Sequence, residues 1–270
     1  MKKTITVPAI IASIVIGYLI ALAGSQGSQD YNGLSLFIIC ASVSYLLHWL
    51  IFIPSYIFQT EHYFDLTGTL SYFSAIAIGF YLNPTNDPRD ILIGLLITIW
   101  AVRLGSFLFF RIKKDGKDKR FTVMKTEFVW YLMTWTIGGL WVFLTMAAGL
   151  AAITSNQTIP LGVPAVVGLI LWIIGFSIEV IADKQKRDFK KNPSKDNEFI
   201  TSGLWAWSRH PNYFGEITLW TGLTLIALPV LSGWQLCTLI SPFFVYILLT
   251  KISGIPLLEN RAIKKWGTDP

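Results

Sequence analysis

Long runs of apolar residues alternate with short polar segments along the whole chain. A helix needs about 20 apolar residues to cross a bilayer, and eight runs approach or exceed that length. They cover residues 4–23, 34–58, 66–82, 91–110, 128–153, 163–182, 213–231 and 234–252. Because the runs are continuous rather than alternating, they predict helices and not the strands of a barrel. We therefore expect an all-α, polytopic membrane bundle of seven or eight transmembrane helices.

The composition supports this class. Hydrophobic residues make up 53% and charged residues 14% of the chain, and the mean hydropathy is +0.54. A soluble domain carries about 25% charged residues, so a water-soluble enzyme is excluded. No long linker or internal repeat is visible, which predicts one transmembrane domain over residues 1–270. Two cysteines and three histidines are too few for a disulfide scaffold or a histidine-rich metal centre, and we expect no metal.

The basic residues predict the orientation of the helices. Of the 22 lysines and arginines, 20 lie before the first helix or in residues 111–125, 184–209 and 251–265. With eight crossings and an inside N-terminus, all of these segments share one side, which the positive-inside rule places in the cytoplasm.

We expect the protein in the inner membrane of a bacterium, or in the endoplasmic reticulum of a eukaryote. Membrane insertion and anionic lipids account for such loops, and a phosphate-bearing cytosolic ligand is the alternative. A nucleic acid is not expected as a partner.

Cysteine labelling tests this orientation. Lys117→Cys and Lys195→Cys, each in a chain without Cys40 and Cys237, should react with a membrane-impermeant thiol reagent only after the cells are opened. Placing the two loops outside would require fourteen cations to cross the membrane, which the positive-inside rule disfavours. Labelling of intact cells at either position would reverse the orientation.

The first helix also fits a second interpretation. Lys2 and Lys3, an apolar run and the sequence Ala21-Leu22-Ala23 are typical of a cleavable secretory signal. Cleavage would leave seven helices and an outside N-terminus, and every other loop would keep its side.

Ionisable groups at membrane depth are costly and tend to be functional. Arg103 lies in the middle of the fourth run, where it could hold an anionic or carbonyl group or pair with a buried carboxylate. Glu179, Asp183 and Arg187 follow at intervals of four where the sixth run ends. This spacing places them on one helical face. Carboxylates and a cation in that order suit a nucleotide, and an Asp183–Arg187 salt bridge is the structural alternative.

A polar break separates the second and third runs. It contains Glu61, His62 and Tyr63, followed by Asp65. The segment could be a plain connecting loop. It could also be a catalytic patch, in which an apolar pocket keeps the carboxyl group protonated. Glu61 is then the acid, Tyr63 or His62 the second donor, and Asp65 the next candidate.

The most specific stretch is a helix start rich in polar groups, with the sequence Arg209-His210-Pro211-Asn212-Tyr213-Phe214-Gly215-Glu216. Proline favours the first turn of a helix, and the free N–H groups there attract anions. Arg209 and His210 add donors beside them. Asn212 and Glu216, four residues apart, share one face of the helix.

This stretch resembles the signature of the steroid 5-alpha-reductase superfamily, which sterol reductases share. Asp183 with Arg187, residues 202–205, and Glu259 in the sequence Leu257-Leu258-Glu259-Asn260-Arg261-Ala262 agree with the family in order and spacing. The resemblance implies a helical bundle that binds NADPH from the cytosol in residues 91–270 and admits an enone lipid, steroid-like or similar, from the bilayer. It implies cofactor contacts by Arg103, Asp183, Asn212 and Glu216, to which Glu179, Arg187, Arg209, His210, Tyr213 and Glu259 are added as candidates. It also implies a catalytic role for Glu61.

The chain departs from the family at one catalytic position. Counting back from Arg103, Trp100 occupies the place of the family's tyrosine, and an indole is a poor proton donor, which leaves the second donor open. Isoprenylcysteine and phospholipid methyltransferases have a similar Arg-His-Pro stretch and bind S-adenosylmethionine, so a membrane methyltransferase is the alternative function. A non-enzymatic lipid-binding protein would leave the face of Asn212 and Glu216 unexplained.

Overall fold

The computed structural model describes residues 3–83, 85, 87–116, 118, 121–191 and 198–267. Within them the chain forms nine α-helices and one short hairpin. The helices are α1 (Lys3–Ser25), α2 (Leu36–Ile57), α3 (Phe64–Leu82), α4 (Pro88–Asp115), α5 (Phe128–Ile153), α6 (Val163–Phe189), α7 (Pro211–Ala227), α8 (Ile240–Ile247) and α9 (Ile255–Trp266). The hairpin pairs β1 (Asp30–Tyr31) with β2 (Leu34–Ser35) in antiparallel register. Lys117 and Lys195, the positions chosen for labelling, lie outside the described residues.

Seven helical stretches within the described residues are long and apolar enough to cross a membrane. They are Ile5–Ser25, Leu36–Ile57, Pro88–Phe110, Phe128–Ile153, Val163–Phe189, Pro211–Val230 and Gly233–Lys265. The predicted class, a polytopic helical membrane bundle, is confirmed. Helix α3 forms over 19 residues but is not among the seven. Its first turn carries Asp65, and it contains several glycine, serine and threonine residues.

Several predicted boundaries need correction. Helix α6 continues to Phe189, seven residues past the predicted end, and α4 continues to Asp115. The last predicted helix, residues 234–252, is divided into a 3-10 segment (Gly233–Leu239), α8 and a π-helical turn (Leu248–Ile252). The hairpin and α9 were not predicted. In α4 and α6 the apolar run ends before the helix does, because hydropathy marks the membrane-spanning part and not the last helical hydrogen bond.

Chain contacts divide the protein into two compact units. Unit 1 contains Met1–Leu161 and Ala227–Ile240. Its central helix is α5, which is buried over almost its whole length and packs against α1, α2, α3 and α4. The 3-10 segment packs on α1, where the Trp234 backbone N–H donates to Gln26 Oε1 at 2.6 Å. Helix α1 is therefore an integral part of the packing of unit 1.

Unit 2 contains Gly162–Ile226 and Ser241–Pro270. Glycines bring α6 and α7 into backbone contact at two levels. A Cβ atom on Gly175 would lie 2.5 Å from Leu219 N and 2.6 Å from the Gly215 carbonyl oxygen. Two turns away, a Cβ atom on Gly168 would lie 2.5 Å from the Gly222 carbonyl oxygen. Small residues permit this close approach of membrane helices. The prediction of a single domain over the whole chain stays a prediction.

Candidate functional site

In unit 1, Glu61 lies between α2 and α3 and is almost fully buried, with 1% of its surface exposed. Its Oε2 accepts a hydrogen bond from Lys125 Nζ at 2.6 Å, and its Oε1 accepts the backbone N–H of Asp118 at 3.0 Å. Nearby, the Tyr131 hydroxyl donates to the Thr60 carbonyl at 2.6 Å. Both carboxylate oxygens of Glu61 therefore hold the segment between α4 and α5.

These partners decide the protonation of Glu61. Burial works to raise the pKa of the carboxyl group, but hydrogen bonds from Lys125 and from the Asp118 N–H, together with the Lys125 charge, hold the pKa below its ordinary value. The carboxyl group is ionised at neutral pH as a result. The sequence-based expectation of a neutral Glu61 is wrong for this arrangement, because a cation and an N–H donor replace the apolar pocket that it required.

The structure separates Glu61 from the side chains that follow it. His62 and Tyr63 are exposed, Tyr63 by 52%. His62 Nδ1 lies 2.8 Å from Thr60 Oγ1, and its Nε2 lies 3.1 Å from the Gly116 carbonyl oxygen. Tyr63 occupies the N-cap position of α3. The three neighbours do not converge on one pocket, and their catalytic roles stay predictions.

Arg103 also belongs to unit 1. It lies on α4, half-buried, with its guanidinium carbon 5.6 Å from the centre of the Phe107 ring. Trp100, one turn before it, is 1% exposed and packs edge-on against Tyr72 at 5.4 Å. Arg103 therefore lies in a different unit from the other predicted cofactor contacts, all of which belong to unit 2.

In unit 2, the predicted face of α6 meets the start of α7. Asn212 Nδ2 donates to Asp183 Oδ1 at 3.2 Å. Glu179, one turn before Asp183, is buried with 3% exposed, whereas Arg187 is exposed at the end of the helix. Glu216 on α7 is also buried, with 9% exposed. The carboxylate of Asp183 and the amide of Asn212 thus form a pair where α6 meets the first turn of α7.

A second cluster lies beside it, where α7 begins and α9 runs. Arg209 Nη1 donates to Glu259 Oε2 at 3.1 Å, and His210 Nε2 lies 3.0 Å from Glu259 Oε1. The His210 ring stacks on Tyr213 with centroids 5.6 Å apart and planes 13° from parallel. Two basic side chains therefore hold one anionic group at the N-terminus of α7.

The 3-10 turn Gly203–Ala206 connects these groups to α6. Trp205 Nε1 donates to the Ala182 carbonyl at 3.0 Å, and the Leu204 N–H donates to Gln185 Oε1 at 3.0 Å. Lys186 lies over the Trp205 ring, 4.7 Å from its centre. These contacts fix the segment before the signature against α6.

The donor set of unit 2 fits a dinucleotide. The amide and carboxylate of Asn212 and Asp183 suit ribose hydroxyls or a carboxamide, and Arg209 and His210 suit phosphate oxygens. The Nδ1 atom of His210 is buried and has no hydrogen-bond partner among the described residues. A buried polar atom without a partner is costly, and a ligand group placed at this atom would satisfy it.

Sequence reasoning missed the two partners of Glu61. Lys125 and the Asp118 backbone belong to a loop whose cations were explained by topology alone. A lysine that ends a basic loop just before an apolar helix carries no signal of pairing with a residue 64 positions earlier. The contacts of Glu259 with Arg209 and His210, by contrast, join residues that the family resemblance had already named as cofactor candidates. Their spacing in the sequence alone would not have predicted these contacts.

Comparison with known proteins gives one family and several distant relatives. The family described as "Protein of unknown function (DUF1295)" matches residues 49–270. Delta(14)-sterol reductase of Arabidopsis thaliana is 29% identical over 110 residues, which cover 37% of this chain and 27% of the relative. Delta(14)-sterol reductase TM7SF2 of Mus musculus is 35% identical over 74 residues, which cover 22% of this chain and 18% of the relative. Probable O-methyltransferase ustE of Ustilaginoidea virens is 29% identical over 104 residues, which cover 38% of this chain and 34% of the relative.

The matched stretch thus spans about a third or less of the curated relatives' own lengths. No solved structure matches the chain.

Proposed function

Because the chain belongs to the DUF1295 family, which is steroid 5-alpha-reductase-like, we propose that it is an NADPH-dependent membrane reductase. Its reaction is the reduction of the carbon–carbon double bond of an α,β-unsaturated ketone lipid, similar to a 3-oxo-4-ene steroid. Membership confirms the resemblance inferred from the signature. The activity is supported by the two sterol reductases among the relatives and, above all, by the Asp183–Asn212 contact beside the Arg209–His210–Glu259 cluster.

The cofactor residues of this proposal lie in unit 2. Asp183 and Asn212 would hold ribose or carboxamide groups, and Arg209 and His210 would exchange Glu259 for a phosphate. Glu179, Glu216, Tyr213 and Arg187 complete the candidate set. When bound, NADPH supplies a hydride. The surrounding residues bind and orient it, and the buried faces of α6 and α7 exclude water from one side.

The lipid would enter from the bilayer, as its apolar body requires. Addition of hydride to the β-carbon leaves negative charge on the ketone oxygen, and acidic donors must face that oxygen. His62 and Tyr63 remain candidates for these donors, whereas Glu61 is ionised in the arrangement described. Arg103 stays a candidate cofactor contact that the resemblance implies.

Calorimetry on the detergent-solubilised protein tests the cofactor. We expect NADPH to bind, and Asn212→Ala to weaken its affinity by roughly one to two decades. The change removes one hydrogen-bonding side chain from a largely enclosed site, which costs about 1–3 kcal/mol, and 1.4 kcal/mol is about tenfold.

Asn156→Ala is the matched control. It makes the same chemical change at an exposed position in unit 1 and should leave the affinity unaltered. Equal affinities for both variants would remove Asn212 from the site. An absence of NADPH binding by the unmodified chain would refute the reductase proposal as a whole.

A membrane methyltransferase is the second candidate. It is favoured by the match to probable O-methyltransferase ustE, which covers more of this chain than the match to TM7SF2 does. The same carboxylate and amide could hold the ribose of S-adenosylmethionine. The same calorimetry decides, because binding of S-adenosylmethionine without binding of NADPH would select this function.

A further inference from the structure

One carboxylate in unit 2 holds two basic side chains at the start of α7. Glu259, on α9, accepts a hydrogen bond from Arg209 Nη1 at 3.1 Å through its Oε2, and its Oε1 lies 3.0 Å from His210 Nε2. The side chain of Arg209 is 84% exposed, that of Glu259 29% and that of His210 14%. The cluster therefore reaches from a largely buried histidine to a solvent-exposed arginine, and a ligand can approach it from the arginine side.

The sequence explains why these groups meet. Pro211 begins α7, so Arg209 and His210 lie just before its first turn, where free N–H groups attract anions. The His210 ring stacks on Tyr213. A Cβ atom on Gly254 would lie 2.8 Å from Tyr213 Cε2, so glycine lets the residue before α9 approach this ring closely. The approach brings the carboxylate of α9 to the two basic groups.

The donors of this cluster exceed what a carboxylate can use. An arginine guanidinium carries five N–H donors, and the Nδ1 atom of His210 is buried without a hydrogen-bond partner among the described residues. A carboxylate brings two oxygen atoms and one negative charge. A phosphate monoester brings three acceptor oxygens and a charge of about −1.5 to −2 at neutral pH. The larger charge favours the phosphate over Glu259 in competition for the two basic side chains.

The exposure of Arg209 indicates which phosphate of a dinucleotide fits. Hydride transfer is favoured where water is kept from the nicotinamide, so that ring belongs at the enclosed end of the cofactor site. An arginine that is 84% exposed lies at the open end. The 2′-phosphate of NADPH is a monoester on the adenosine ribose, at the opposite end of the cofactor from the nicotinamide. The two phosphates of the pyrophosphate bridge, by contrast, carry one charge each.

We propose that Arg209 and His210 form the subsite for the 2′-phosphate of NADPH, and that Glu259 is an internal competitor that occupies this subsite when the cofactor is absent. This inference rests on the proposed reductase function. The 2′-phosphate displaces the carboxylate, and the Glu259 side chain turns to the solvent. The displacement costs little, because an ion pair with an exposed arginine is weak. NADH has a hydroxyl group at this position and leaves Glu259 in place.

Competition between two isomers tests the subsite on the unmodified, detergent-solubilised protein. Adenosine 2′-monophosphate and adenosine 5′-monophosphate have the same composition and charge, and they differ in the position of the phosphate. We expect the 2′-isomer to displace NADPH at a concentration at least about tenfold lower than the 5′-isomer, the effect of one charge-assisted hydrogen bond. Equal potency of the two isomers would overturn the assignment of the 2′-phosphate.

Calorimetry on variants tests the roles of the side chains. Arg209→Gln should weaken NADPH binding by about tenfold and leave NADH binding unchanged, since NADH has no phosphate for this side chain. Glu259→Gln removes the competing charge and keeps the shape. It should tighten NADPH binding about two- to fivefold, the range expected for an exposed ion pair, and leave NADH binding unchanged. Glu198→Gln, the same chemical change at an exposed position of unit 2, should alter neither affinity.

The contrary results are distinct from one another. A parallel loss of NADPH and NADH affinity in Arg209→Gln would place the pyrophosphate at this cluster instead. Weaker NADPH binding in Glu259→Gln would make Glu259 a contact of the cofactor and not its competitor. Either result overturns this inference while the reductase function stands. If the unmodified protein binds no NADPH, the reductase function is refuted and this inference with it.

Discussion

Replacing Lys125 with methionine is expected to destabilise the protein by about 3 kcal/mol, the lower end of the effect of breaking a buried ion pair. The variant leaves the Glu61 carboxylate, 1% exposed, without its cation. The lower end applies because the Lys125 side chain is 23% exposed. Thermal unfolding in detergent should show a midpoint roughly 6–12 °C lower, given about 2–4 °C per kcal/mol for chains of similar size.

Lys113→Met is the matched control, because Lys113 is an exposed lysine in the last turn of α4 and removes the same charge without breaking an ion pair to Glu61. Its effect should stay within about 0.5 kcal/mol. The double variant Glu61→Gln with Lys125→Met should recover part of the loss, since no buried charge remains. Equal midpoints for Lys125→Met and Lys113→Met would show that the ion pair contributes nothing.

The same pair gives a pH dependence with a definite sign. The pKa of Glu61 lies below its ordinary value of 4.5, so the folded state binds this proton less tightly than the unfolded state does. The contribution of the pair is complete above the ordinary pKa and is lost as the pH falls through the lowered one. The difference between Lys125→Met and the unmodified chain should therefore be constant near neutral pH and shrink in acid.

Replacing Gly175 with alanine is expected to destabilise unit 2 by about 3 kcal/mol, the upper end of the usual cost of overpacking. The added Cβ atom would meet Leu219 N at 2.5 Å and the Gly215 carbonyl oxygen at 2.6 Å. Both are backbone atoms, so no side chain can rotate away and the two helices must separate. The measurement is the thermal midpoint, together with the yield of monodisperse protein in detergent.

Gly162→Ala is the control within unit 2. Its added Cβ atom would meet only Pro164 Cδ, at 3.9 Å, which is ordinary van der Waals contact, and its φ of −133° suits any residue. A midpoint for Gly175→Ala as high as that of Gly162→Ala would contradict the backbone contact between α6 and α7.

Hydropathy was sufficient to predict most of the helices, because continuous apolar runs have no other stable form in a bilayer. It failed where a helix leaves the apolar region. Helix α6 continues to Phe189 through charged residues, since no glycine or proline stops it. The hairpin was missed although Asn32 and Gly33 both have positive φ values, 53° and 83°, which is the conformation that an Asn-Gly turn favours.

The candidate site could be predicted in part. The signature and its resemblance pointed to Asp183 with Asn212, and these residues are in contact. The chemistry of unit 1 could not be predicted in this way. The Glu61–Lys125 pair joins residues that α3 and α4 separate along the chain. Such a pairing leaves no local pattern in the sequence.

The discontinuity of unit 1 has a consequence for biosynthesis. Its last part, Ala227–Ile240, follows all of Gly162–Ile226 in the chain. At about 5–20 residues per second, a ribosome needs roughly 3–13 s to synthesise that insertion. Throughout this interval Gln26, which follows the end of α1, lacks the hydrogen bond that the Trp234 N–H later donates to it. A nascent chain that stalls before residue 227 therefore presents an unfinished first unit to the membrane, and this is the form that cellular quality control would encounter.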